Sequence, residues 1–147
     1  IEEGKKPKFL VWASADSLGA PLQRIQIIKG WLKNGKHKEK VFDVVCSDGL
    51  MVDSSNFRCP DNGAKVDIET CKVSDNLGAS ELKSFWEDPD FLKDQEAFYY
   101  VRVLENPVCR WSTWDSIRAG YKPRSDIPAT IQERAWSSPI WFEPTKS

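Results

Sequence analysis

The side chains with chemical potential in this chain gather in its last third. There Cys109-Arg110-Trp111-Ser112-Thr113-Trp114-Asp115 and Thr130-Ile131-Gln132-Glu133-Arg134-Ala135-Trp136-Ser137-Ser138-Pro139-Ile140-Trp141 interleave indoles with ionic and hydroxyl groups. Arg110, Asp115, Arg118, Glu133 and Arg134 form a charge cluster among these tryptophans. Two readings fit that pattern. One is a salt-bridged surface over indoles packed in the core. The other is a contact face made by Arg110, Trp111, Trp114, Gln132, Glu133 and Arg134, turned toward another domain or forming a wall of that domain's substrate cleft. Arginine stacked on tryptophan contributes roughly 0.5–2 kcal/mol, so either version would be rigid.

Catalytic chemistry finds little support elsewhere. A Ser-His-acid arrangement would have to use His37, the single histidine, and this lies in a lysine-rich turn. Asp88 and Asp90 read as turn and capping residues rather than Ca²⁺ ligands, and the glycines are scattered and form no phosphate-cradling loop. Cys46, Cys59, Cys71 and Cys109 include no Cys-x-x-Cys pair, which argues against a zinc site. No cofactor is expected in this segment, and neither is metal-dependent phosphoesterase activity.

Four cysteines allow three disulfide connectivities, and four buried thiols in a cytosolic protein are the alternative. The turn-rich stretch Pro60-Asp61-Asn62-Gly63 favours a bridge between Cys59 and Cys71, with Cys46 and Cys109 as the remaining pair. Closing a loop of that size contributes about 3 kcal/mol. Disulfides would imply a periplasmic or secreted protein; free thiols would imply a cytoplasmic one.

Composition sets the outer bounds. The chain has 147 residues, 40% of them hydrophobic and 12% aromatic, which is enough for one domain with a real core. Lys plus Arg total 21 against 22 Asp plus Glu, a balance unlike the basic face of a nucleic-acid binder. No apolar run reaches the length of a membrane span. The sequence opens with Ile1-Glu2-Glu3-Gly4-Lys5-Lys6 rather than Met and has no signal-peptide pattern. It reads as a piece of a longer protein, with residues 1–147 forming a single domain.

The elements that must position these groups are mostly strands. Residues 9–13 make a short strand, followed by a turn at 16–19. Residues 24–32 alternate as a half-buried strand, and Asn34-Gly35 turns the chain into a return strand over 40–46. Residues 47–79, rich in Asp, Asn, Ser and Gly, form a long excursion with only short β pieces such as 65–68. A short helix over 80–86, capped by Ser80, ends at Asp88-Pro89. Residues 98–104 form a central strand with both faces covered. A second helix starts at Ser112 with Asp115 three residues on, and stops at Gly120. Pro123 and Pro128 bracket a loop, and a strand over 135–142, demoted to an edge or bulged position by Pro139, closes the chain. The sum is a mainly β fold: an antiparallel immunoglobulin-like β-sandwich with two short helices and a long middle excursion.

Leu22-Gln23-Arg24-Ile25-Gln26-Ile27-Ile28-Lys29-Gly30-Trp31, Ala97-Phe98-Tyr99-Tyr100-Val101-Arg102-Val103-Leu104-Glu105, and the two tail segments together carry a family resemblance. The chain resembles the C-terminal domain of a bacterial family of unknown function, over essentially its whole length. Full-length members of that family carry an N-terminal domain similar to polymerase-and-histidinol-phosphatase (PHP-like) metal-dependent hydrolases. The resemblance implies a non-catalytic accessory domain that packs on the upstream hydrolase domain and helps close its cleft. Any divalent metal would belong to that upstream domain. The alternative is an independent carbohydrate-binding β-sandwich module. Domain docking requires a contiguous apolar patch with a charged rim, whereas a sugar module requires a groove with two or more parallel, solvent-facing rings.

Overall fold

The computed structural model describes residues 6–144. The chain is mainly β, in antiparallel sheets, with one helix among the described residues. Its centre is the hairpin of β2 (Leu22–Lys33) and β3 (Lys36–Cys46), paired all the way to Lys33↔Lys36. Asn34 and Gly35 both take positive φ (54° and 72°), the geometry that lets two residues reverse a twisted strand pair. The return strand therefore begins at Lys36, four residues before the position expected from hydrophobicity, because backbone pairing continues where the side chains turn fully polar. β5 (Ala97–Glu105) lies on the other side of β2 and is central as expected. Its far edge is covered by β8 (Arg134–Trp136) and β9 (Ile140–Phe142). The single closing strand expected over 135–142 is thus two short strands on one neighbour. Pro139 lies in the break between them, where no ladder N–H is needed.

A second layer covers one face of this sheet. β1 (Lys8–Ser14) pairs with β4 (Glu81–Glu87) in register over seven residues, from Lys8↔Glu87 to Ser14↔Glu81. The helix expected over 80–86 is therefore a strand. Leu82, Ser84 and Trp86 turn inward while Lys83 and Phe85 stay exposed, a period of two that the capping signal at Ser80 does not outweigh. Ser80 instead accepts a backbone bond from Ala15 through its carbonyl (2.8 Å). Between the layers sit Val11, Leu82, Leu22, Ile25, Ile27, Ala97 and Tyr99. Phe9 lies 4.9 Å from Tyr99, and Phe42 5.1 Å from Trp86, between ring centroids. Each fully buried Val, Leu, Ile or Phe among them contributes about 1.5–3 kcal/mol.

One polar cluster interrupts the core. Lys29 Nζ donates to Asp88 Oδ2 (2.5 Å) and to the Asp90 carbonyl (2.8 Å), and the Tyr99 hydroxyl donates to the same Asp88 oxygen (2.8 Å). Lys40 pairs with the Asp90 carboxylate. Each acidic residue of the Asp88-Pro89-Asp90 turn is thus held by a lysine and pins the turn to the sheet. Burial and the Asp88 carboxylate push the Tyr99 hydroxyl far above its ordinary range, so it stays a donor.

The excursion over 47–79 forms no extended strand, only isolated bridges such as Val66↔Val73. Its disulfides differ from the expected pairing: Cys46 joins Cys59, and Cys71 joins Cys109. The reason is that the excursion doubles back along β3 instead of closing on itself. Asp43 N–H donates to the Phe57 carbonyl (2.9 Å), and Cys59 N–H donates to the Asp43 carboxylate (2.7 Å), which brings Cys59 beside Cys46. The Pro60–Gly63 stretch is ordered by Asn62, whose amide nitrogen donates to Asp48 (3.0 Å) and Asn106 (2.9 Å). Cys71 is left to reach β6 (Val108–Cys109), which pairs with β7 (Thr130–Ile131).

Candidate functional site

The tail is locked in place by backbone. α1 (Trp111–Ala119) starts one residue before Ser112, with Arg110 rather than Ser112 at its N-cap, so the capping-box expectation is misplaced. The start is set instead by the β6–β7 ladder: Arg110 N–H donates to the Ala129 carbonyl (2.9 Å), and Thr113 Oγ1 donates to the same oxygen (2.7 Å). Gly120 ends the helix in the left-handed conformation, where the sequence placed the stop. Further on, Glu105 N–H donates to the Glu133 carbonyl (3.1 Å), and Gln132 Nε2 donates to Gln23 Oε1 and to the Glu105 carbonyl (both 2.8 Å).

These ties bring four of the six expected tail residues together. Arg110, Gln132, Glu133 and Arg134, joined by Thr130 and Trp136, border an open cleft of about 410 Å³. Trp111 and Trp114 are not among its lining residues; both are exposed, and the Arg118 guanidinium lies 5.4 Å from the Trp114 ring centroid. Trp136 and Trp141 are exposed as well. The core-indole reading of the tail therefore fails for all four tryptophans. So does the salt-bridged surface, because among the described residues Arg110, Asp115, Arg118, Glu133 and Arg134 form no ion pair.

Gln23 links the cleft to a buried polar network on the same face of the sheet. Arg24 donates to Gln23 Oε1 (2.6 Å from Nη2) and to Asp43 (3.2 Å), Gln26 donates to Asp43 (2.6 Å), and Arg102 donates to Gln26 Oε1 (2.7 Å). Asp43 is fully buried and accepts from side chains and from the Cys59 amide. Among the described residues no buried side-chain polar atom lacks a partner, so this network positions the tail and holds no orphan group for a ligand. Glu105, behind the cleft, has its carboxyl raised by burial, against the lowering effect of the Ala20 amide and with help from the charges of Glu133 and Asp16. Among the described residues no three His, Cys, Asp or Glu side chains gather as a metal site. His37 stays exposed at the β2–β3 turn.

A second surface escaped the sequence reading. On the outward side of β1–β4, Leu10, Trp12 and Phe85 are 61%, 65% and 80% exposed, with Leu10 directly opposite Phe85. Lys8 pairs with Glu87 (2.7 Å) at one end and Lys83 with Glu81 (3.4 Å) at the other. The signal was present: residues 9–13 (Phe-Leu-Val-Trp-Ala) are apolar on both strand parities, which marks a strand with two covered faces.

A family model described as "Protein of unknown function (DUF3604)" matches residues 1–144. No curated protein and no solved structure matches the chain.

Proposed function

The chain belongs to the DUF3604 family of proteins of unknown function, and we propose that it works there as a non-catalytic docking domain. Its occupant is the upstream PHP-like hydrolase domain implied by the resemblance, which would supply any divalent metal. The observation that carries this reading is the outward face of β1–β4. Three large apolar side chains lie together at high exposure, between ion pairs at both ends, and this is the anatomy of a protein contact: apolar centre, charged rim. Trp111 and Trp114 give the tail an exposed apolar surface of its own, and the cleft bordered by Arg110 is, in this reading, a wall of the hydrolase's substrate cleft.

The sugar-module alternative fits less well. Among the described residues the four exposed tail indoles form no ring pair with one another, and the one parallel pair, Phe98 with Tyr100, is half-buried. Two disulfides suit an oxidising compartment, and a periplasmic or secreted site is part of the proposal.

The test compares Trp12→Ser and Phe85→Ser in this chain and in the longer protein. Neither change should lower the stability of the isolated domain by more than about 0.5 kcal/mol, as for ordinary surface sites. In the longer protein both should loosen assembly, read as faster proteolytic separation of the two domains, and should lower hydrolase activity. Unchanged proteolysis and activity would defeat the proposal.

A further inference from the structure

We propose that the cleft between the Arg110 segment and β7–β8 is a binding site for a small hydroxylated anion of the acidic-sugar type, a carboxylate or phosphate on a polyol ring. Its walls offer complementary groups for each part of such a molecule. Arg110 spends its Nε on the Pro128 carbonyl (3.1 Å), which fixes the guanidinium plane, while its two terminal nitrogens have no partner among the described residues. Arg134 has no side-chain partner there at all. Two guanidinium forks with free donors on one cleft recognise a planar or tetrahedral anion by paired, charge-assisted hydrogen bonds.

Two unpaired cations alone would describe any surface. Glu133 and Trp136 on the same cleft narrow the class. A simple inorganic anion gains nothing from the Glu133 carboxylate and is repelled by it, whereas a hydroxylated ligand donates to it and to the Thr130 hydroxyl. Trp136 presents an exposed indole against which the apolar face of a sugar ring can stack. One ring with two guanidiniums is a different recognition set from the parallel rings of a glycan-chain groove, and it suits a short charged ligand. The cleft, about 410 Å³, lies within the usual range of small-molecule sites. Its floor is preorganised by the β6–β7 ladder, the Cys71–Cys109 bridge and the Gln132 hydrogen bonds, so binding requires little ordering of backbone. This deepens the reading of the tail as a cleft wall. It is tested on the isolated chain, so its failure is separate from failure of the docking proposal.

The experiment titrates the chain with D-glucuronate, glucose 6-phosphate, glucose and inorganic phosphate, following the indole N–H resonances by NMR. A Trp136→Phe variant identifies the Trp136 signal. At least one acidic sugar should shift that signal saturably, and should bind roughly tenfold or more tightly than both glucose and inorganic phosphate, the scale of one lost charge-assisted contact. Which of the two acidic sugars does so identifies the anion as carboxylate or phosphate. Arg110→Gln and Arg134→Gln should each abolish the shift, while Arg118→Gln, beside Trp114 and outside the cleft, should leave it intact. Because Arg134 is exposed and unpaired, its variant keeps the fold and the test stands even if Arg110→Gln perturbs the loop. No saturable shift with either acidic sugar, equal binding of inorganic phosphate or glucose, or binding that survives Arg134→Gln would overturn the proposal.

Discussion

Asp88→Ala is the substitution whose consequence follows most directly from the core. The Asp88 side chain is 0% exposed and accepts from Lys29 Nζ (2.5 Å), the Tyr99 hydroxyl (2.8 Å) and the Asp90 amide (2.8 Å). Lys29, 2% exposed, would keep the Asp90 carbonyl as its one hydrogen-bond acceptor, beside the Trp31 and Tyr99 rings. Removing one partner of a buried pair leaves an uncompensated charge and costs roughly 3–5 kcal/mol. The orphaned Tyr99 hydroxyl adds a penalty of about 1–3 kcal/mol, which overlaps with the first because the groups share one network. A domain of this size has roughly 5–15 kcal/mol of stability in all, so the loss is a large fraction of it. With a urea slope near 2 kcal/mol/M, a loss of about 4 kcal/mol moves the unfolding midpoint down by about 2 M. The double change Lys29→Met with Asp88→Leu should lose less, since no charge is stranded. A midpoint drop below about 0.5 M for Asp88→Ala, or a double variant weaker than the single, would refute the claim that this pair organises the core.

Three further outcomes can be checked on the isolated chain. Gly30→Ala should destabilise by about 1–3 kcal/mol in thermal melts, because a Cβ there would stand 2.2 Å from the Phe98 ring. Non-reducing intact mass should fall about four units below the reduced value, and peptide mapping should join Cys46 to Cys59 and Cys71 to Cys109. With loops of 13 and 38 residues, removing the second bridge should cost more, about 4 against about 3 kcal/mol. Glu105 binds its proton more tightly folded than unfolded, chiefly through burial, so its contribution to stability is present at low pH and declines as pH rises through its raised folded value. Glu105→Gln should remove that decline in a series of melts between about pH 4 and 7, while an unchanged slope would contradict the assignment.

The sequence was most legible where local and tertiary signals agreed. The β2–β3 hairpin was readable because Asn34-Gly35 supplies the turn and the flanking residues alternate. β5 was readable from its β-branched and aromatic run, and the end of α1 from Gly120. β4 was misread because Glu81–Glu87 is short enough for a capping residue to suggest a helix, and its identity depends on β1, about 70 residues earlier in the chain. The disulfide pairing was hidden for a related reason. Asp43 draws Cys59 toward Cys46 through a tertiary hydrogen bond that has no local signature. Of the six tail residues that the sequence groups together, four border one cleft. What the residues could not give was the exposure of their indoles, since burial is decided by what packs against α1, β8 and β9.

The docking face is tested most directly by hydroxyl-radical footprinting of Leu10, Trp12 and Phe85 in the isolated chain and in the longer protein. Met51, 82% exposed and outside β1 and β4, serves as an internal reference. The account predicts rapid oxidation of all three side chains in the isolated chain and strong protection in the longer protein, with Met51 equally reactive in both. Equal oxidation of Leu10, Trp12 and Phe85 in the two proteins would contradict it.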